Sequence, residues 1–267
     1  MDFGLRDKRA LVTGSNRGTG AVIARVLAEE GAMVLVHGDA AGDQERIAAE
    51  LTRAGHAAHA VSGDIATDGG AASVVDQVEA CLAGIDIHVN NLGQPSGTKW
   101  TSVTPEDFIA SYQANVLSAL RMIRAFLPGM RERGFGRVIQ IATIGTTRPN
   151  SRMPDYYAAK AALANMTVSL AKEVAGSGVT VNTVSPGLIH TAETEAYLRS
   201  LAAKRGWGAE WAEIEARGVQ ELTQSRASRM AKAEEVAALV AFLASMHAAY
   251  LHGGNFRVDG GATDIVQ

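Results

Sequence analysis

The sequence predicts an α/β protein, a single doubly wound domain whose mainly parallel sheet carries helices on both faces. Three observations lead there. Short apolar runs alternate with segments of helical period along all 267 residues. The runs are almost continuously apolar rather than alternating, as expected of strands covered on both faces. Connections between them are short, and no Pro/Ser-rich linker or internal repeat divides the chain.

Taken in order, "RALVTG" from Arg9 reads as the first strand, and the stripe Val22, Ile23, Val26 and Leu27 as the helix behind it. "AMVLVHG", "HAVSGD" and "IDIHVNN" supply three further strands, each ending in Gly, Asp or Asn. Phe108, Tyr112, Val116, Ala119 and Ile123 mark one apolar face of a long helix, with Asn115 set into it. "RVIQIAT" and "VTVNTVSPG" are strands again; Val236, Leu239, Val240 and Leu243 form another helical stripe, and "NFRVDGG" closes the series at Asn255–Asp259. The exception is the polar, helix-prone stretch from Thr191 to Arg229, which holds Trp207 and Trp211. It follows a strand's C-terminal end, the edge where open α/β sheets bind ligands, and is expected to be a substrate lid.

Composition narrows the function classes. A net charge of −3 with no basic block argues against nucleic acid. No apolar run approaches the roughly 18 residues of a membrane span, and the charged N-terminus is unlike a signal peptide, so a soluble, cytoplasmic protein is expected. The single cysteine, Cys81, fits a reducing compartment and is expected to be a small buried hydrophobe. The seven histidines form no metal-like cluster, since His56 and His59 straddle a loop-to-strand transition, and no metal is expected.

Two motifs carry chemistry. "TGSNRGTG", Thr13–Gly20, follows the first strand and opens the first helix. There Gly14 permits a tight turn, Gly18 lets backbone approach a pyrophosphate, and Gly20 lets the helix pack on the sheet, while the helix N-terminus offers free N–H groups to phosphate. "DYYAAK", Asp155–Lys160, sets Tyr156 and Tyr157 four and three residues before a lysine. Both spacings bring a phenol onto the lysine's helix face, so either tyrosine is a candidate proton donor.

The glycine turn, "NNLG" at Asn90–Gly93, Asn115, "DYYAAK", "SPGLIHT" and "RVDGG" stand in the order and spacing of the short-chain dehydrogenase/reductase family. From Lys8 to Gly261 the chain resembles it, in particular its 3-oxoacyl-carrier-protein-reductase-like members. The resemblance implies a seven-stranded Rossmann-type sheet and hydride transfer between a nicotinamide cofactor and a ketone or secondary alcohol. It selects Tyr156 as general acid/base and Lys160 as its partner and ribose ligand. It places Thr143, thirteen residues ahead of Tyr156, where the family usually has a serine that polarises the substrate oxygen. Asn115 is implied in a proton relay. Cofactor contacts are implied for Gly14, Asn16, Arg17, Gly18, Thr19 and Gly20, for Asn91 and Gly93, for Asp64 and Ile65 around adenine, and for Pro186, Gly187, Ile189 and Thr191 around the carboxamide. Leu92 replaces the common alanine.

Arg17 suits a 2′-phosphate, whereas Asp39 suits a free ribose 2′-hydroxyl. NADP(H) is favoured over NAD(H). A homotetramer, or a homodimer, is expected through the helices carrying Asn115 and Tyr156. Trp207 and Trp211 suggest an apolar or acyl-type substrate. The competing class is a non-catalytic nucleotide sensor or scaffold on the same fold, motivated by the Thr143 and Leu92 departures.

Overall fold

A computed structural model describes residues 2–265. Seven strands form one sheet: β1 (Arg9–Val12), β2 (Met33–Gly38), β3 (Ala58–Ser62), β4 (Ile87–Asn90), β5 (Gly136–Ile141), β6 (Val179–Pro186) and, after two short strands, β9 (Asn255–Val258). Their order is β3-β2-β1-β4-β5-β6-β9, and every pairing is parallel. The chain winds outward from β1 to β3 and then crosses to the other side of β1 at β4. A crevice opens at that reversal, at the C-terminal ends of the strands. The short strands β7 (Ile189–His190) and β8 (Ala231–Lys232) pair separately.

Two apolar cores sandwich the sheet. On one face α1 (Gly18–Glu29), α2 (Asp43–Arg53) and α9 (Ala233–Ala244) bury Ile23, Leu27, Ile47, Leu51, Val236 and Val240 against Val12, Val36, Val89 and Ile141. On the other, α3 (Asp68–Leu82) and α5 (Ser118–Glu132) bury Val74, Val78, Met122 and Phe126 against Leu11, Leu35 and Val138. The end of α6 (Pro154–Glu173) joins them through Ala171.

Local sequence sets the helix starts. Thr104 and Asp107 form a capping box ahead of Pro105, the first residue of α4 (Pro105–Tyr112). Thr67 caps α3, and Thr191 caps α7 (Ala192–Arg205), which ends at the left-handed Gly206. Trp207, Leu198 and Ala202 pack with Ile214 and Val219 of α8 (Trp211–Leu222) into a small third core. No helix among the described residues is long and apolar enough to cross a membrane.

Two expectations are corrected. Cys81 is exposed, because α3 buries Ala71, Val74 and Val78 and its next inward position is Leu82. The stripe of Phe108, Tyr112, Val116, Ala119 and Ile123 is not one face. A π turn at Gln113–Leu117 adds a residue to the helical repeat, so Tyr112 remains 43% exposed while Val116, Ala119 and Ile123 are buried.

Candidate active site

The glycine-rich turn is built by backbone and by two polar side chains, half-buried Asn91 and buried His37. Gly14 and Gly18 have φ of +61° and +53°, in the left-handed region that suits glycine. A β-carbon on Gly20 would lie 2.4 Å from both Asn91 Nδ2 and Gly14 O. Asn91 Nδ2 donates to Thr13 O at 2.9 Å and Gly14 O at 3.0 Å, tying the end of β4 to the turn. His37 braces it from β2: Nδ1 accepts from Gly14 N–H at 3.0 Å, which leaves Nε2 to donate to Gly63 O at 2.9 Å. Burial keeps this ring neutral by lowering its pKa. Arg17 precedes α1 without a side-chain cap, so the first N–H groups of that helix remain free for an anion. This cradle fits a dinucleotide pyrophosphate.

Lys160 is where the catalytic candidates converge. It is 2% exposed, and its Nζ donates to Ile141 O, at the end of β5, at 2.9 Å. A β-carbon at Gly93 would meet Lys160 Nζ at 2.6 Å and Asn115 Oδ1 at 3.0 Å. Asn115 Oδ1 accepts from Gln94 N–H at 3.2 Å, and its Nδ2 donates to Ser111 O at 2.9 Å, inside the π turn. Lys160 Nζ lies 5.9 Å from the centre of the Tyr156 ring, one helical turn back. Thr143, two residues beyond Ile141, is half-buried and caps a short 3-10 turn, its hydroxyl accepting from Gly145 N–H at 3.4 Å.

The two tyrosines differ in what they touch. Tyr157 accepts a hydrogen bond from Asn150 Nδ2 at 3.0 Å and packs against Gly145, where a β-carbon would come within 2.0 Å of its ring. It fastens the loop after β5. Tyr156 has no hydrogen-bond partner among the described residues, and its ring stands beside Lys160. Burial, then the neighbouring Tyr157, pushes its phenol above the ordinary tyrosine range, so it is protonated at neutral pH. Burial lowers the Lys160 ammonium to about 8.

The other cofactor candidates spread along the crevice. Asn16 and Thr19 are half-buried in the turn, and Arg17 is exposed with its Nε 3.7 Å from Glu193 of α7. Thr191 Cγ2 comes within 3.9 Å of the β-position of Gly18, which brings the start of α7 over the turn. Pro186 is buried at the end of β6 and Ile189 half-buried in β7, while Gly187 is required by Asp259, whose Cα would lie 3.1 Å from a β-carbon. Asp39 and Asp64 are exposed; Asp64 accepts from Ala66 N–H, and Thr67 takes the helix cap. Ile65 is wholly buried in the core, so only its backbone can face a ligand. Leu92 likewise turns inward and packs on Gly14.

Sequence reasoning did not single out His37, Gln44 or Asp155. Gln44 fills the space a side chain at Gly38 would take, its Oε1 2.4 Å from that β-position. Asp155 is bonded to Ser96 across 59 residues. The two tryptophans, read as a hint of an apolar or acyl-type substrate, make contacts within the fold. Trp207 is 3% exposed in the third core, and Trp211 stacks on His190 at 5.2 Å.

Comparison with known proteins shows what the chain as a whole is similar to. The sequence profile described as short chain dehydrogenase matches residues 8–201. The chain is 33% identical over 257 residues to the 3-oxoacyl-[acyl-carrier-protein] reductase FabG of Vibrio cholerae, covering 96% of this chain and 98% of that one. It superposes with a TM-score of 0.94 and 32% identity on L-sorbose reductase from Gluconobacter frateurii complexed with NADPH and L-sorbose, over all of both chains. A gluconate 5-dehydrogenase from Burkholderia cenocepacia in complex with NADP and tartrate matches at TM-score 0.84 and 27% identity, over 99% of this chain and 98% of that one.

Proposed function

The chain belongs to the short chain dehydrogenase family, and on that premise we propose that it reduces a small polyhydroxylated ketone with NADP(H). It is an oxidoreductase that transfers a hydride between a nicotinamide cofactor and a ketone or secondary alcohol. The observation that carries the assignment of roles is the convergence of Tyr156, Lys160, Asn115 and Gly93 beside the end of β5.

The bound cofactor supplies the hydride. The protonated Tyr156 phenol gives its proton to the substrate oxygen, while Thr143 donates a hydrogen bond to that oxygen. Lys160 is charged at neutral pH and stabilises the phenolate that proton transfer leaves behind. Asn115 holds the π turn and the Gln94 backbone and so shapes the path by which the proton is replaced. Gly14, Asn16, Gly18, Thr19, Gly20, Asn91 and Gly93 hold the dinucleotide from the sheet side, with the Asp64–Ile65 backbone toward adenine. Pro186, Gly187, Ile189 and Thr191 close the nicotinamide end.

Arg17 is free to meet a 2′-phosphate, since its bridge to Glu193 is solvent-exposed and correspondingly weak. Asp39 is exposed and screened. Both similar solved structures were obtained with NADPH or NADP.

A polar substrate is favoured by the likeness to L-sorbose reductase and gluconate 5-dehydrogenase, and both tryptophans of the α7–α8 pair are engaged elsewhere, Trp207 in the small core and Trp211 on His190. That pair, packed on its own small core, acts as the substrate lid. Exposed Ile109, Tyr112 and Val168, on the elements flanking Asn115 and Tyr156, support a homotetramer or homodimer. No observation favours a non-catalytic sensor or scaffold.

The test is NADPH oxidation with L-sorbose and related ketoses, set against a β-ketoacyl thioester. Turnover of ketoses that disappears in Tyr156→Phe is the expected result. Preference for the thioester would overturn the substrate class.

A further inference from the structure

The reaction described above leaves one buried acid beside the proton donor unused. Asp155 is the second residue of α6 and is 2% exposed. Its Oδ1 accepts from Ser96 Oγ at 2.6 Å and from Thr98 Oγ1, and the two hydroxyls lie 2.9 Å apart. Burial pushes this carboxyl up, yet the bonds from Ser96 and Thr98 and the N–H groups of Asp155 and Tyr156 outweigh it and hold the group below the usual carboxylate range. A charged acceptor makes these bonds stronger than neutral ones.

The segment so gripped, from Gln94 to Lys99, is otherwise irregular and partly exposed. Its start is tied by Gln94 N–H to Asn115 Oδ1, beside Lys160. Its end is tied to the entrance of α6 once more, by an antiparallel backbone bridge between Lys99 and Arg152 in which Met153 N–H donates to Thr98 O at 3.0 Å. Met153 itself has φ of +53° and gives α6 no side-chain cap, so the acid inside the first turn fills that role as well. The loop thus runs from the Lys160 side of the site to the residue next to Tyr156.

We propose that Asp155 is a positioning residue for substrate, fixing the Gln94–Lys99 loop as one wall of the site through Ser96 and Thr98. The proposal rests on the catalytic reading of Tyr156. It assigns Asp155 to substrate binding and not to the cofactor cradle, which lies across the crevice on β1 and α1.

Two variants test it: Asp155→Ala, and the double variant Ser96→Ala/Thr98→Val, which leaves α6 untouched. Expected are a rise in ketone KM of about tenfold or more in both, with kcat within a few-fold and NADPH affinity unchanged. Asp155→Asn, which keeps an acceptor oxygen, should recover part of the loss. Amide hydrogen exchange of the protein without ligands should quicken in residues 94–99 and not through the rest of α6. Unchanged KM in the double variant, or a joint loss of kcat and NADPH affinity in Asp155→Ala, overturns the proposal. If the unsubstituted protein turns over no ketone, the catalytic reading fails, and unaltered exchange in the loop would separately overturn the anchor.

Discussion

Gly93 and Lys160 are fitted to one another: a β-carbon at position 93 would stand 2.6 Å from Lys160 Nζ and 3.0 Å from Asn115 Oδ1. The lysine therefore occupies the space that a side chain would need. Gly93→Ala is expected to displace the flexible ammonium rather than unfold the chain. The thermal midpoint should move little, while kcat falls by roughly 10- to 100-fold, since misplacement of a catalytic group by about 1 Å has that effect. Parallel melting curves and steady-state rates check this.

The assignment of the proton donor separates two adjacent phenols. Tyr156→Phe should lower kcat by about 10²- to 10⁴-fold, the usual contribution of a positioned acid. Tyr157→Phe loses only the bond from Asn150 and should keep most turnover, at a stability cost of about 1 kcal/mol. The opposite ranking of rates would make Tyr157 the acid.

Thr143→Val preserves shape and branching while removing the hydroxyl. Loss of one donor to a developing oxyanion costs about 10²- to 10³-fold in kcat, and a neutral hydroxyl should fall at the lower end. Thr143→Ser should restore the rate. Equal activity of Val and Thr at this position would leave the turn after β5 a structural role only.

His88 sets an acid limit on stability. It lies on β4 with neither ring nitrogen hydrogen-bonded among the described residues, and burial first, with His37 second, lowers its pKa from 6.5 to about 3. Between those values the unfolded chain takes up a proton that the folded chain refuses. Stability conferred by the neutral ring is thus complete above pH 6.5 and is lost as pH falls toward 3, at up to about 1.4 kcal/mol per pH unit. Urea midpoints at pH 7 and pH 5 should diverge in the native sequence and draw together in His88→Leu. An unchanged difference would assign the acid sensitivity elsewhere.

The strands, the glycine turn and the Tyr156–Lys160 spacing were legible in the sequence because each depends on residues within a turn or two of one another. Buried parallel strands read as apolar runs, and glycines before a helix have few other uses. Even Asn115 announced itself as a lone amide on an apolar face. Where local periodicity broke, reading along the chain failed: the π turn at Gln113–Leu117 rotates the helix, so Tyr112 faces outward while Val116 does not. Cys81 missed the buried face of α3 by a single position.

By itself, then, the sequence determined the doubly wound fold and marked out the glycine-rich turn and the tyrosine–lysine spacing. Only the tertiary structure decided which phenol is free, where the tryptophans point, and that Asp155 holds Ser96 from 59 residues away. The reason is physical. Hydrophobic period and turn chemistry act between near neighbours, whereas a hydrogen bond or a shared cavity depends on which distant segments the sheet order brings together.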